Sequence, residues 1–271
     1  RPDLKPVKNF NIASNPEFLR EGSAIEDFMR PDRVICGTES DSARTILQEL
    51  YRPLNLRETP IIFTSIETAE LIKYASNSFL ATKITFINEI ADICEKIGAD
   101  VQQVAKGIGL DKRIGLKYLH HGPGFGGSCF PKDVKALAAA AKSDNVESKM
   151  LEATLEVNEL QPQIIVQMAE ERLGVLKGKK IAVLGLAFKP DTDDVRESRS
   201  EIVVKELMDK GAEVVGHDPE AMDNFKELIE VNTAPSIEEA VEKADCVILM
   251  TEWKEYTKIN LKMLRNRMSG N

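Results

Sequence analysis

Cys129 stands between a glycine-rich stretch and a proline followed by two charges, in Gly124-Phe125-Gly126-Gly127-Ser128-Cys129-Phe130-Pro131-Lys132-Asp133. A thiol in that setting can act as a nucleophile, bind a metal, or fill space as a small apolar group. Pro131 suits the first turn of a helix, and the residues after it form a helical pattern to Ala141, which predicts Cys129 just before a helix N-terminus. The unpaired N–H groups and dipole of such a terminus favour an anion, and Lys132 adds positive charge beside it. The glycines would let the backbone come close to a ligand. A tight turn carrying an incidental thiol fits the same residues.

Three further groups have side chains capable of chemistry. Lys73 and Asn77 are four apart on a helical pattern, with Glu70 one turn earlier, so a lysine and an amide share one face. Fixed donors of that kind can hold an oxyanion, and a solvated polar stripe is the competing reading. In Asn15-Pro16-Glu17-Phe18-Leu19-Arg20-Glu21-Gly22, Glu17 could serve as a general base if partly buried, or simply cap a helix start. Gly185-Leu186-Ala187-Phe188-Lys189-Pro190-Asp191 ends an apolar strand at glycine but departs from GxGxxG. Lys189, with Arg196 as a second cation, could still hold a nucleotide phosphate; an ordinary charged surface loop is the alternative.

Composition narrows the classes. Of 271 residues 42% are hydrophobic, enough for two or more packed domains, and a net charge of -8 argues against a nucleic-acid surface. The four cysteines, Cys36, Cys94, Cys129 and Cys246, are widely separated, and His120, His121 and His217 do not complete a zinc-like spacing, so neither a disulfide framework nor a metal site is expected. No apolar run approaches the ~20 residues of a membrane span, and the first residues do not resemble a signal peptide, from which a cytoplasmic location is expected. The first residue is Arg1 rather than Met, as in a fragment of a longer chain.

The elements that would position these groups follow from periodicity. Strand-like runs occupy 10–13, 33–36 and 61–64, with a helix over 42–51, as at the end of an α/β domain. A helix of about 30 residues, or ~45 Å, runs from Ile66 to a stop at Gly98, long enough to be a spine shared between domains or subunits. Further helices are predicted over 100–108, 131–143 and 149–173. After Gly178 come strand 181–185, helix 200–210, strand 213–216, helix 236–244 and strand 246–250, with no strand beyond. This alternation predicts a parallel sheet of the nucleotide-binding type.

Taken together, eight stretches resemble the UDP-glucose/GDP-mannose dehydrogenase family: NPEFLREG (15–22), PDRV (31–34), ELIKYASNSFLA (70–81), NEIADICEKIGAD (88–100), RIG (113–115), GPGFGGSCFPKD (122–133), GLAFKPDTDDVRES (185–198) and TEW (251–253). They occur in the family's order across nearly the whole chain. The resemblance implies an α/β fold with the remnant of an N-terminal Rossmann-like NAD-binding domain (1–65), a central helical, dimer-forming domain (66–175) and a C-terminal Rossmann-like UDP-sugar-binding domain (176–271). It implies a four-electron oxidation of UDP-glucose to UDP-glucuronate with NAD as the cofactor, through a thiohemiacetal and a thioester on Cys129. The related substrates UDP-N-acetylmannosamine and GDP-mannose, or a non-catalytic binding or dimerisation role, are the alternatives. Carried over by motif, Lys73 and Asn77 stabilise the oxyanion, Asp133 is the acid beside the cysteine, and Glu17 serves base or thioester-hydrolysis work. Phe18, Leu19, Arg113, Phe125, Gly126, Phe188 and Lys189 match substrate-contacting positions, with Arg113 reaching a neighbouring subunit. Glu21, Lys132 and Arg196 match cofactor-side positions. The family's GxGxxG strand would precede Arg1 and its DGR segment would follow Asn271, so these 271 residues alone are expected not to turn over.

Overall fold

A computed structural model describes residues 10–55 and 59–269. The chain separates into two compact units, Arg1–Asn77 and Ser78–Asn271. Helix α3 (Ile66–Ile97) begins in the first and ends in the second.

The first unit holds α1 (Ala24–Met29), β1 (Val34–Gly37), α2 (Asp41–Asn55), β2 (Ile61–Thr64) and the start of α3. β1 and β2 pair in parallel with Val34 opposite Ile61, and α2 forms the crossover between them. All four residues of β1 are buried, as expected for a parallel strand covered on both faces. Of the predicted strand at 10–13, Phe10 is an isolated bridge residue and 11–13 are not in strand; beside it, Ser14 makes an antiparallel bridge to Gly37. Pro16, which has no N–H and restricts the residue before it, stops any ladder from continuing. The short α1 lay outside the pattern because none of its residues is buried.

In the second unit, the rest of α3 is followed by α4 (Val101–Gly109), α5 (Phe130–Ser143) and α6 (Lys149–Leu173). Asp100 starts α4 by accepting the N–H groups of Gln102 and Gln103. Between α3 and α6 lies a polar seam: Thr82 and Thr154 hydroxyls meet at 3.0 Å, and Thr85 donates to the Thr154 carbonyl at 3.3 Å. A small apolar core of Ala81, Phe125 and Val134 adjoins it.

A four-stranded parallel sheet completes this unit, in the order β5-β4-β3-β6. Its strands are β3 (Lys180–Leu184), β4 (Glu213–His217), β5 (Asn232–Thr233) and β6 (Cys246–Leu249). Helices α7 (Arg199–Asp209), α8 (Met222–Leu228), α9 (Ile237–Ala240) and α10 (Leu261–Arg267) accompany it. β3 lies centrally, and Ile181 to Leu184 are buried on both faces, which explains the uninterrupted apolar run. The strand order is that of one half of a dinucleotide-binding fold, with its switch point between β3 and β6. The predicted helix at 236–244 closes after Ala240, because Lys243 takes a left-handed conformation (φ 56°) and its N–H donates to the Arg267 carbonyl of α10. β5 has two residues and α8 and α10 seven each, too short for their periods to register.

Candidate active site

Cys129 is the N-cap residue of α5, half-buried, with Pro131 in the first turn. The Asp133 N–H closes the first turn on the Cys129 carbonyl at 2.9 Å. Asp133 is 1% exposed and its carboxylate meets the Lys132 ammonium. Ser128 Oγ lies 3.6 Å from the Cys129 sulfur.

The glycines upstream meet protein rather than open space. A Cβ on Gly126 would sit 2.3 Å from the Glu197 carbonyl oxygen, and one on Gly127 2.6 Å from the Phe188 ring. Gly127 also has φ 79°, and its N–H donates to the Arg196 carbonyl at 2.9 Å. The sequence reading expects these glycines to admit a ligand; in the structure the group that they approach is the turn at residues 194–199. Phe125, expected among the substrate contacts, instead turns its side chain into the core beside Ala81 and Val134. Both its backbone groups are engaged: its N–H donates to Asn158 Oδ1 (2.7 Å), and its carbonyl accepts from Asn158 Nδ2 (3.1 Å) and Arg199 Nε (3.0 Å). At the start of the loop, the Gly122 N–H donates to Asn88 Oδ1 at 2.8 Å.

Asn88, Asn158 and Arg199, all buried, were not singled out by sequence reading. A signal existed for Asn158. The buried face of α6 runs through Thr154, Asn158, Gln161, Pro162 and Val166, so polar residues occupy positions where helical spacing asks for apolar ones.

In the first unit Lys73 is not part of a solvated stripe. Its side chain is 14% exposed, and Nζ donates to the Glu17 carboxylate at 3.0 Å and the Glu17 carbonyl at 2.5 Å. Asn77, one turn on, is 8% exposed. Glu17 itself is exposed and also accepts the Leu19 N–H at 2.6 Å, which makes it a local cap as well as a carboxylate beside an ammonium. The Phe18 ring carries the Arg33 guanidinium 3.8 Å from its centroid and the Lys73 ammonium at 5.5 Å. Leu19 and Glu21 are half-buried on the same loop. Arg20 clasps Asp27 through Nε and Nη2, and that guanidinium holds the Asp27 carboxyl down to about 2.

Arg113 projects from the second unit with 89% of its side chain exposed, gripped by Asp111 at 2.6 Å. Its loop is anchored by Lys83 of α3, whose ammonium donates to the Ile114 carbonyl at 3.0 Å. The guanidinium also holds the Asp111 carboxyl below its ordinary value.

At the end of β3, the groups that a dinucleotide phosphate would use in this fold are taken by the protein. Asp218, fully buried, accepts the Leu186 and Ala187 N–H groups and the Trp253 indole N–H on one oxygen, and the Glu220 and Ala221 N–H groups on the other. Gly185 (φ 98°) lies against Thr251, whose Cβ would be 2.5 Å from an added methyl. This closes the switch-point crevice and leaves Phe188 and Lys189, whose ammonium sits 5.4 Å over the Phe188 ring, at the partly exposed end of the turn. Arg196 is clasped by Asp194 at 2.7 Å, with 65% of its side chain exposed.

Within the second unit, then, the fold brings Cys129, Lys132, Asp133, Gly126, Phe188 and Arg196 onto one loop-and-turn assembly, and within the first it brings Glu17, Phe18 and Lys73 together. Arg113 stands on a separate loop.

Comparison with known proteins bears on what these groups do. Residues 67–160 match the model described as the central domain of the UDP-glucose/GDP-mannose dehydrogenase family, residues 182–271 its UDP binding domain, and residues 3–55 its NAD binding domain. The chain is 50% identical over 270 residues to UDP-glucose 6-dehydrogenase of Rhizobium meliloti (strain 1021), covering 98% of this chain and 62% of that protein. It is similar in structure to a UDP-glucose dehydrogenase from the hyperthermophilic archaeon Pyrobaculum islandicum, with a TM-score of 0.91, 41% identity, and coverage of 97% of this chain and 63% of the other. A UDP-D-ManNAc dehydrogenase from Pyrococcus horikoshii matches with a TM-score of 0.86 at 26% identity, over 99% of this chain and 61% of that one. The chain thus spans somewhat under two thirds of the length of these relatives.

Proposed function

The chain belongs to the UDP-glucose/GDP-mannose dehydrogenase family, and on that premise we propose that it carries the thiol and nucleotide-sugar chemistry of a UDP-glucose 6-dehydrogenase. The reaction is the NAD-dependent, four-electron oxidation of the C6 alcohol of UDP-glucose to the carboxylate of UDP-glucuronate. Three domains, 1–65, 66–175 and 176–271, fit the limits of the family matches. The observation that carries the reading is Cys129 at the N-terminus of α5, on a loop held by buried side chains, four residues before a buried carboxylate.

In this reading the Cys129 sulfur attacks C6 at the aldehyde level, forming a C–S bond and placing negative charge on the former carbonyl oxygen. Such an attack requires a thiolate, and Cys129 stands at the N-terminus of α5 on a loop held by buried side chains. Lys73 and Asn77, fixed on one face of α3, are the donors assigned to that oxygen, and being largely buried they need little reorganisation. Asp133 exchanges the proton beside the sulfur. At the thioester level water adds to C6 and the C–S bond breaks, returning the thiol and releasing the carboxylate, with Glu17 as the base. Phe18, Leu19, Gly126, Phe188 and Lys189 contact the substrate, and Arg113, exposed and braced by Asp111, reaches a neighbouring subunit.

NAD, when bound, supplies hydride acceptance. Among the described residues the exposed cations Lys132 and Arg196 fit its pyrophosphate, and Glu21 fits the cofactor side. The parallel pair β1–β2 with its crossover α2 has the form of the closing part of a dinucleotide-binding sheet. The closed crevice at Gly185 and Thr251 fits a C-terminal unit that recognises a nucleotide sugar by side chains and not a second dinucleotide by backbone amides.

The higher identity to UDP-glucose enzymes than to the UDP-D-ManNAc enzyme favours UDP-glucose as substrate. A homodimer through α3 is supported by Phe79, Phe86, Ile93 and Ile97, which are 48–72% exposed and recur at spacings of seven, seven and four. A cytoplasmic setting agrees with four free cysteines; no helix among the described residues is long and apolar enough to cross a membrane.

The test uses the product of the complete gene. Cys129→Ser should abolish formation of UDP-glucuronate from UDP-glucose while UDP-glucose binding, followed by calorimetry, persists; unchanged turnover sinks the mechanism. Rates on UDP-glucose, UDP-N-acetylmannosamine and GDP-mannose then decide the substrate.

A further inference from the structure

We propose that Arg199 is a positioning residue for Cys129, a role that rests on Cys129 being the reacting thiol. Arg199 opens α7, and its residue is only 3% exposed, an unusual place for a guanidinium unless it is held on several sides. Nε donates to the Phe125 carbonyl at 3.0 Å. Nη1 lies 3.3 Å from the Glu159 carboxylate on α6, and Nη2 lies 3.7 Å from Glu197; these are charge contacts rather than aligned hydrogen bonds. One cation thus joins three segments: the thiol loop, α6 and the turn before α7.

That turn grips the thiol loop on both sides of the cysteine. Upstream of Cys129, the Phe125 carbonyl is held by Arg199 and the Gly127 N–H by the Arg196 carbonyl. Downstream, Lys135 on α5 pairs with Glu197 at 3.2 Å. The Phe188 N–H donates to the Asp194 carbonyl at the start of the same turn, and the Phe188 ring packs on Gly127. Cys129 therefore takes its place relative to Phe188 and Arg196 from a single short segment. Of the side chains that hold this segment to the loop, Arg199 is the buried one, whereas Lys135 and Glu197 are about half exposed. Glu197 has φ 52°, a left-handed conformation that a glutamate keeps only when its neighbours over-determine it.

Removing the guanidinium leaves Phe125 with Asn158 alone and strips Glu159 and Glu197 of their shared cation. The loop then drifts relative to the turn, and a displacement near 1 Å in an oriented reaction costs on the order of 10²-fold in rate. Substrate affinity, to which Phe18, Leu19 and Lys189 contribute away from this loop, is expected to change less than the rate. Lysine keeps the charge but cannot bond a carbonyl and face two carboxylates together.

The experiment measures kcat and KM for UDP-glucose oxidation in the complete gene product, with amide hydrogen exchange of the peptides spanning 125–129. Arg199→Gln should lower kcat by about 10- to 100-fold with KM within about twofold, and exchange should accelerate over 125–129. Arg199→Lys should stay nearer to the glutamine variant than to the parent. Leu207→Ala, a core change on the same helix, should leave kcat and the local exchange pattern alone. An Arg199→Gln enzyme that folds with unchanged kcat, or whose exchange rises uniformly over the chain, overturns the proposal. Should that variant not fold, Glu159→Gln at the rim decides: a smaller fall in kcat supports the role, and none overturns it. Cys129→Ser separates the two ideas, since its failure to affect turnover would reject the thiol chemistry while the exchange data still report whether Arg199 holds the loop.

Discussion

Gly126→Ala tests how the thiol loop is built. The backbone at Gly126 is not in the left-handed region, so a side chain is opposed by space alone. Its Cβ would lie 2.3 Å from the Glu197 oxygen and 3.1 Å from the Glu197 carbonyl carbon, about 1 Å short of ordinary contact with a backbone atom that cannot rotate away. Loop and turn must separate, which breaks the Gly127-to-Arg196 and Arg199-to-Phe125 hydrogen bonds. Overpacking of this kind costs about 1–3 kcal/mol and each lost buried bond about 1 kcal/mol more, for about 3–5 kcal/mol in all. Against a usual stability of about 5–15 kcal/mol that is a large fraction. Trp253, the single tryptophan, is buried in the second unit and its emission reports unfolding there. In urea titration the midpoint should fall by about 1–2 M relative to the parent. Gly122→Ala is the control: nothing lies within 4 Å of its Cβ, and it should move stability by less than about 0.5 kcal/mol. A Gly126→Ala midpoint equal to that of Gly122→Ala would refute the close approach and with it the clamp on Cys129.

Gly107 lies exposed inside α4 with open space around its Cβ, so Gly107→Ala should stabilise the second unit by about 0.5–1 kcal/mol, read from the same titration; a loss would contradict that geometry. Burial holds the His217 imidazole below its ordinary value of 6.5, while Nδ1 lies 2.8 Å from the Tyr256 hydroxyl. Below pH 6.5 the unfolded chain takes up a proton that the folded one refuses, so stability should decline from pH 7.5 to 5.5 and His217→Gln should flatten that slope; an unchanged slope rejects the assignment. Arg20 depresses the Asp27 carboxyl to about 2, so its contribution is present above the unfolded value of 3.8 and is lost as pH falls toward 2. Asp27→Asn should remove that acid-range dependence in circular dichroism melts of the first unit, and equal acid sensitivity in both proteins would disprove it.

Periodicity located most of the framework because most of it is long or uniformly apolar. The 32 residues of α3, the helices α5 and α6, the buried strands β1 and β3 and the apolar strand β6 leave patterns longer than the noise of a few substitutions. The position of Cys129 at a helix start was legible for a similar reason, since proline and the turn before it act over only a few neighbouring residues. Elements such as α1, β5 and α8 are too short or too exposed to leave such a trace, and the apolar run at 10–13 carries no local sign of whether a partner strand lies beside it.

What residue order alone determined was the inventory: a thiol at a helix start, a lysine and an amide one turn apart, and a parallel sheet ending in glycine. Tertiary structure decided which of these groups face water and which face each other. Lys73 became a partly buried ammonium on Glu17, the glycines near Cys129 became contact points for Glu197 and Phe188, and Asp218 became the buried acceptor that closes the end of β3. Asn88, Asn158 and Arg199 bond to groups 34, 33 and 74 residues away. Such pairings arise when distant segments pack and each buried polar group must find its counterpart, a condition that no local window of sequence can express.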